Sequence, residues 1–335
     1  MSHLVESMFY VGETPWHGIG TPLNDPPTIE EALKLAGLNW TVVKKPTYYQ
    51  KDDGSTIPTN HFVTVRNASS NNGETLLGNV GSKYEVLQNI DSFKPFNVIK
   101  DYGYTLETAG SIDDGKKVWI LAKTPDHYMI GDDKVLDYVM LYTSHDGSSG
   151  SCFRDVFIRV VCNNTLQASL SGKKTFEYKL RHTKSINDRI VELTDKLRDR
   201  QGNIALAVDH MNSFLDIPVN DKILDVYLEA VMPFLINRHR KSDPKLGIYT
   251  RNKAQPVYDA LKLAFYHGKG NKGETLWDAY NAITEYHDHI KTHNIDWVQS
   301  TQFGASSEYK KRAFFVATKM VEKARENKTT IVGGA

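Results

Sequence analysis

The sequence predicts an α+β fold, a mainly antiparallel β-sheet N-terminal region followed by a helical C-terminal region with one long helix. Three observations predict it. Short β-rich runs separated by turn residues occupy most of residues 40–161. From Ser185 onward the apolar residues recur at helical spacing. The chain of 335 residues, 40% hydrophobic and 24% charged, has the composition of a folded protein with one large core or two moderate ones.

In order along the chain, Thr28 can cap a helix whose first turn holds Glu30 and Glu31, with Ile29, Leu33 and Ala36 on one face and Gly37 at the end. Strands follow at Trp40–Val43, His61–Arg66, Glu74–Tyr84, Tyr104–Thr108, Lys117–Lys123, Val135–Tyr142 and Phe153–Val161. Asp52-Asp53-Gly54, Asn72-Gly73, Asp113-Asp114-Gly115 and Gly131-Asp132-Asp133 supply hairpin turns between them. A short helix is expected around Ile90–Ile99. Asn163 or Asn164 can cap a further helical start over Thr165–Leu170.

Ile186, Ile190, Leu193, Leu197, Ile204, Val208, Met211 and Leu215 keep an almost unbroken four-three spacing, which describes one helix of about 30 residues ended by Pro218. Helices are also expected at Asp221–Ile236, Pro256–Tyr266, Glu274–Lys291 and Ser307–Glu326. The domains so predicted are a β-rich α+β domain over 1–184, a helical domain over 185–327 and a loose tail over 328–335.

Several function classes are excluded at this level. The longest apolar runs, such as Val118–Ala122, fall far short of the roughly 20 residues that span a bilayer, so no membrane partner is expected. The first residues carry neither a basic stretch nor an apolar segment that would direct export. Two cysteines, Cys152 and Cys162, fit a reducing compartment, and the expected location is the cytoplasm.

Net charge is only +1, from 41 Lys+Arg against 40 Asp+Glu, but it is unevenly spread. Arg238–Lys272 holds nine cations and two acids, a local +7, and Lys173–Arg189 holds six and two, a local +4, so the remainder carries −10. Such concentrations suit a polyanionic partner. In the first cluster Lys173, Lys174, Lys179, Arg181 and Lys184 interleave with Phe176 and Tyr178, a text suited to phosphates and stacked bases. The same letters also suit a solvated linker. The second cluster offers Arg238, Arg240, Lys241, Arg251 and Lys253.

Gly268-Lys269-Gly270-Asn271-Lys272-Gly273 precedes a helix and could cradle a phosphate on free amides, although no Gly-Lys-Ser/Thr triplet makes it a nucleotide-hydrolysing loop. Its plainer reading is a loop with Thr275 as helix cap. Arg154 and Arg159 are an odd number of residues apart, so a regular strand puts them on opposite faces.

Two texts invite an enzyme. His287, His289 and His293 have metal-like spacing, with His289 and His293 four apart on one helix face. Ser144-His145-Asp146-Gly147-Ser148 contains hydrolase residue types, but adjacent His and Asp cannot orient one another as a triad needs, and a loop between strands explains the glycines and serines.

Trp16-His17-Gly18, Ala36-Gly37-Leu38-Asn39-Trp40, Tyr84-Glu85-Val86-Leu87-Gln88-Asn89, Glu107-Thr108-Ala109-Gly110-Ser111, Ser144–Ser148, Arg159–Leu166, Arg181-His182-Thr183 and Tyr280–Tyr286 form a familiar set. Together, over about Trp16–Arg312, they resemble the phage/plasmid-like prokaryotic proteins carrying a domain of unknown function. More distantly the layout resembles phage single-strand annealing proteins. These resemblances imply a phage or plasmid setting, the cytoplasm of a host cell, and homo-oligomeric rings or filaments. The expected function is therefore single-stranded-DNA binding or annealing in recombination or replication, without catalysis and without a cofactor. Its expected contacts are the cations named above, Tyr178, Lys269 and Lys272. The alternative is a metal-dependent nuclease or nucleotide-processing enzyme.

Overall fold

In the computed structural model the described residues are 5–12, 20–67, 73–161, 164–166, 169–170, 173–174, 177–186, 188–190, 192–193, 200–240, 248–291, 300–301 and 304–332. The chain divides into two compact units. The first comprises Met1–Asp126, Asp137–Asp155 and Phe176–Arg200; the second comprises His127–Leu136, Val156–Thr175 and Gln201–Ala335. The division expected from sequence, a single break at 184/185, differs because the chain changes unit repeatedly.

The first unit is built on strands β1 (Val5–Val11), β2 (Thr21–Leu23), β6 (Thr105–Ile112), β7 (Lys117–Ile130), β8 (Asp133–Ser144) and β9 (Ser151–Arg159), of which the last three change unit along their length. Their order is β9-β8-β7-β6-β1-β2. All pairings are antiparallel apart from β1 with β2, whose parallel register sets Phe9 beside Thr21. Asp113 and Asp114, at φ 55° and 57°, make the tight turn joining β6 to β7, as the Asp-Asp-Gly text predicts. Sequence reading missed β1 and β2, whose strand character depends on β6 a hundred residues away.

Helix α1 (Ile29–Leu35) has the expected capping box: Glu31 N–H donates to Thr28 Oγ1 and Thr28 N–H to Glu31 Oε2. It and α2 (Asn89–Ile99) share a core with the sheet, around Phe9, Trp40, Phe93, Ile120 and Phe153. Ile186, Ile190 and Leu193 are buried in the same core.

A separate three-stranded sheet runs β3 (Val42–Gln50), β4 (Thr56–Arg66), β5 (Thr75–Gly81). Strand β5 pairs only with His61–Arg66, so the outer parts of β3 and β4 form a bare two-stranded ribbon. There Tyr48 faces Pro58 and Tyr49 faces Ile57, and Tyr48, Tyr49 and Ile57 are exposed.

The second unit contains α3 (Gln201–Leu215), α4 (Asp221–Val231), α5 (Ile248–His267), α6 (Leu276–Glu285) and α7 (Ala305–Val332), with short strands β10 (Asn164–Leu166), β11 (Ser169–Leu170) and β12 (Lys173–Lys174). Its core centres on Phe214, Tyr280 and Phe314, whose rings meet edge to face at 5.2–6.0 Å. Ile204 of α3 and Trp277 and Ile283 of α6 extend it, and Tyr227 and Leu261 bring in α4 and α5.

Four sequence expectations need correction. The single long helix is interrupted: Arg200 lies in a turn, α3 restarts at Gln201, and its apolar stripe packs in the second core while Ile186–Leu193 packs in the first. The four-three spacing therefore records two burial events. Thr165–Leu170 is not helical, because Asn164, Thr165 and Leu166 pair with Arg159, Ile158 and Phe157 as strand β10. The tail is not loose from 328, since α7 runs to Val332, where the first of two glycines follows. Finally, Asp221–Ile236 ends as α-helix at Val231 because Pro233 cannot continue it, and a 3₁₀ segment Pro233–Arg240 follows.

Candidate nucleic-acid interface

At the start of α6 the amides of the glycine-rich loop are already engaged within the chain. The Asp278 carboxylate caps them, accepting from the backbone N–H groups of Lys272, Glu274 and Thr275 at 3.2, 3.0 and 3.0 Å. Thr275 and Asp278 form a reciprocal capping box, so the helix start is satisfied from within the chain. On its other side the loop is gripped by Arg159. That guanidinium donates to the carbonyls of Lys269 and Gly270 and to Asn271 Oδ1, and pairs with Asp133 at 2.6 Å.

Arg159 is thus a fully buried structural cation, not a ligand for phosphate. A Cβ on Gly270 would lie 2.8 Å from its Nη2, which is why the loop needs glycine there. Lys269 and Lys272 remain exposed, Lys272 with only a 4.0 Å approach to Asp132.

Two more predicted contacts are buried. Arg238 pairs with Glu229 and with Asp225 at 3.2 Å and lies 4.3 Å from the Tyr258 ring centre. Arg154 is buried in β9, opposite Glu177 of strand β13 (Glu177–Leu180). A guanidinium already desolvated and matched to carboxylates has little left for a polyanion. Lys253 is exposed, 5.7 Å from the Phe234 ring centre. Lys241 lies outside the described residues. For Lys173, Lys174, Arg240 and Arg251 only the backbone is described: Lys173 and Lys174 form β12, Arg240 ends the 3₁₀ segment and Arg251 lies in α5.

The remaining predicted contacts lie in the first unit, on β13 and the segment after it. Tyr178 is half-buried opposite Phe153, whereas Lys179, Arg181 and Lys184 are exposed. Lys179 is also 3.0 Å from Glu177. Sequence reading missed a neighbour, Lys83. His182 connects them: its ring stacks on Tyr84 at 4.8 Å and 7°, and its carbonyl accepts from Glu85 N–H at 3.1 Å. Lys44 donates to the carbonyls of Ser82 and Tyr84 at 3.0 and 2.7 Å, fixing the same segment to the base of the ribbon.

The segment that carries exposed Lys83 is thereby packed against the segment that carries exposed Arg181 and Lys184, and Lys44 roots the ribbon on the first of them. Glu85, Glu177 and Asp188 lie on the same segments, so the cationic excess there is moderate. The signals for it were the Tyr48-Tyr49 pair and the Tyr84-Glu85 phrase, neither of which carries positive charge.

The enzyme texts resolve differently. His145 is wholly buried, with Nε2 2.9 Å from Asn89 Oδ1, and burial holds its pKa down to about 3, so it is neutral. His182 donates Nδ1–H to the Glu85 carbonyl at 3.1 Å, leaving Nε2 to face the buried hydroxyls of Thr143 and Ser151 at 3.4 and 3.3 Å. This is an internal polar network. Asp146 accepts from Ser148 N–H at 2.8 Å and turns the chain between β8 and β9, as expected.

After α6 the backbone widens into a π-turn, Tyr286–Ile290, and leaves helical geometry at Lys291. The four-residue spacing from His289 to His293 therefore does not run along one helix, and His293 lies outside the described residues. His287 is buried and 3.1 Å from Ser306 Oγ, while His289 is exposed. Among the described residues no group of three His, Cys, Asp or Glu is placed to hold a metal ion, and no helix is long and apolar enough to cross a membrane.

No curated protein and no solved structure matches this chain. One family does, over residues 76–329, and its description is Domain of unknown function (DUF932).

Proposed function

The chain belongs to that family, which supplies kinship without a reaction, and we propose that it binds single-stranded nucleic acid by electrostatic capture of phosphates, in the phage or plasmid setting its sequence resemblance implies. The observation that carries this reading is the Tyr84–His182 stack, which packs the segment bearing exposed Lys83 against the segment bearing exposed Arg181 and Lys184. Lys83, Arg181 and Lys184 are exposed and have no ion pair among the described residues, and such cations are suited to displacing counterions from a phosphate backbone. The exposed faces of Tyr48 and Tyr49, in the same unit, are of the kind on which unpaired bases stack.

Binding of labelled oligothymidylate, titrated with salt, tests the proposal. Affinity should fall steeply as salt rises. Changing Lys83, Arg181 and Lys184 together to glutamate should weaken binding roughly a hundredfold and reduce the salt slope by about 2, at about 0.7 per lost single-strand phosphate contact. Circular dichroism checks that the variant is folded. Absence of binding at low salt by the unaltered protein would reject the function; an unchanged slope in the folded variant would reject this surface.

A further inference from the structure

Under the Asp113-Asp114-Gly115 turn of the first unit, three buried nitrogens from distant parts of the sequence lack a hydrogen-bond partner: Trp40 Nε1, Arg66 Nε and His145 Nδ1. Their side chains are neighbours. The Arg66 guanidinium lies 4.5 Å from the Trp40 ring centre, and the Trp40 and His145 rings meet edge to face at 5.4 Å. A Cβ on Gly115 would lie 2.9 Å from Trp40 Cζ2 and 3.2 Å from Arg66 Nη1, so the turn roofs the side of the indole that bears Nε1.

The proton inventory defines what could sit there. Trp40 Nε1 and Arg66 Nε each carry a hydrogen and can only donate. Asn89 Nδ2 donates to the Leu38 carbonyl at 3.0 Å, so Asn89 Oδ1 is the acceptor facing His145 Nε2 and the imidazole hydrogen is on Nε2. His145 Nδ1 is then an acceptor. The group thus presents two donors and one acceptor.

Charge narrows the choice further. The Arg66 cation is already answered by Glu6, whose two oxygens lie 2.7 and 2.8 Å from Nη1, and that carboxylate also accepts from Ser111 Oγ at 3.0 Å. An anion would face the unshared pair of His145 Nδ1, and a cation would face two N–H groups. The complementary guest is small, neutral and able both to accept twice and donate once.

We infer that Trp40, Arg66 and His145 form a binding site for one internal water molecule, which accepts from the indole and guanidinium nitrogens and donates to the imidazole. Leaving three buried polar atoms unmet is costly, whereas a buried water typically makes about three hydrogen bonds. The water ties the loop after β8 at His145 to the paired ends of β3 and β4, where Val42 faces Arg66 and Asn67 N–H donates to the Thr41 carbonyl at 2.9 Å beside Trp40. The Thr64 hydroxyl, which donates to the His145 carbonyl at 2.6 Å, supports the same junction from β4.

A high-resolution crystal structure of the full chain tests this together with solution NMR. The expected result is a single density peak within about 3.2 Å of all three nitrogens. In solution the Trp40 indole proton, assigned by comparison with Trp40→Phe, should show water cross-relaxation of opposite sign in NOE and ROE spectra, the sign pattern of a long-lived bound molecule. A site without density, or three nitrogens bonded directly to protein atoms, would overturn the inference. An anomalous peak at the same position after a bromide soak would overturn it too, by showing that the site takes an anion.

Discussion

Replacing Arg200 by methionine is expected to destabilise the first unit by about 3–5 kcal/mol, measured as lost unfolding free energy in urea titrations. Arg200 is almost wholly buried and donates to Asp137 at 2.5 Å and to Asp155, with Tyr104 Oη accepting from its Nε at 3.0 Å. Both carboxyls are themselves buried, so removing the guanidinium takes away the donor that both accept from, in a medium that cannot replace it with water. A loss below about 1 kcal/mol would show that the cluster is not what holds these residues together.

The same cluster sets a pH dependence. Burial pushes the Asp155 carboxyl up to about 8; Arg200 opposes the shift and Asp137 adds to it. Unfolding returns the group to its ordinary value of 3.8, so the folded state holds a proton that the unfolded chain has released. This stabilisation is full below that ordinary value and is lost as pH rises through about 4 to 8. Asp155→Asn should therefore flatten the stability profile between pH 5 and 7, by up to about 1.4 kcal/mol per pH unit. A profile parallel to that of the unaltered protein would contradict the assignment.

In the second unit the largest effect is expected at Lys310. Its ammonium pairs with Asp288 at 2.7 Å, and both side chains are fully excluded from solvent. Lys310→Met should cost about 3–5 kcal/mol because Asp288 stays buried after losing the Lys310 ammonium. Adding Asp288→Leu should recover most of that loss, since a buried pair replaced by apolar groups is often close to neutral. If the double variant is as unstable as the single one, the pair is integral to the π-turn geometry and not merely matched charge.

Much of the fold was legible because its signals are local. The Thr28 and Thr275 caps, the Asp113-Asp114-Gly115 turn and the β-rich runs of β7 to β9 each need only a few adjacent residues. The candidate site was less legible, because exposure of a cation is decided by partners remote in sequence. Arg159 is consumed by Asp133 and by a loop more than a hundred residues further on, yet its letter reads the same as that of exposed Arg181. Conversely Lys83 has no basic neighbours in sequence and gains them only because Tyr84 stacks on His182. The spacing of Ile186 to Leu215 misled for a related reason: periodicity reports which residues are covered, not that one core covers them all.

The interleaving of the two units has a consequence for how the protein can be made and cut. Because Leu180, Ile186, Ile190 and Leu193 belong to the first core, that core cannot close on a ribosome until the chain has been synthesised past Leu193. No single scission frees either half as a working fragment, so terminal deletions intended to isolate the helices would strip Ile130, Val135 and Phe157 from the core they are meant to preserve. The molecule is inherited, expressed and lost as one piece.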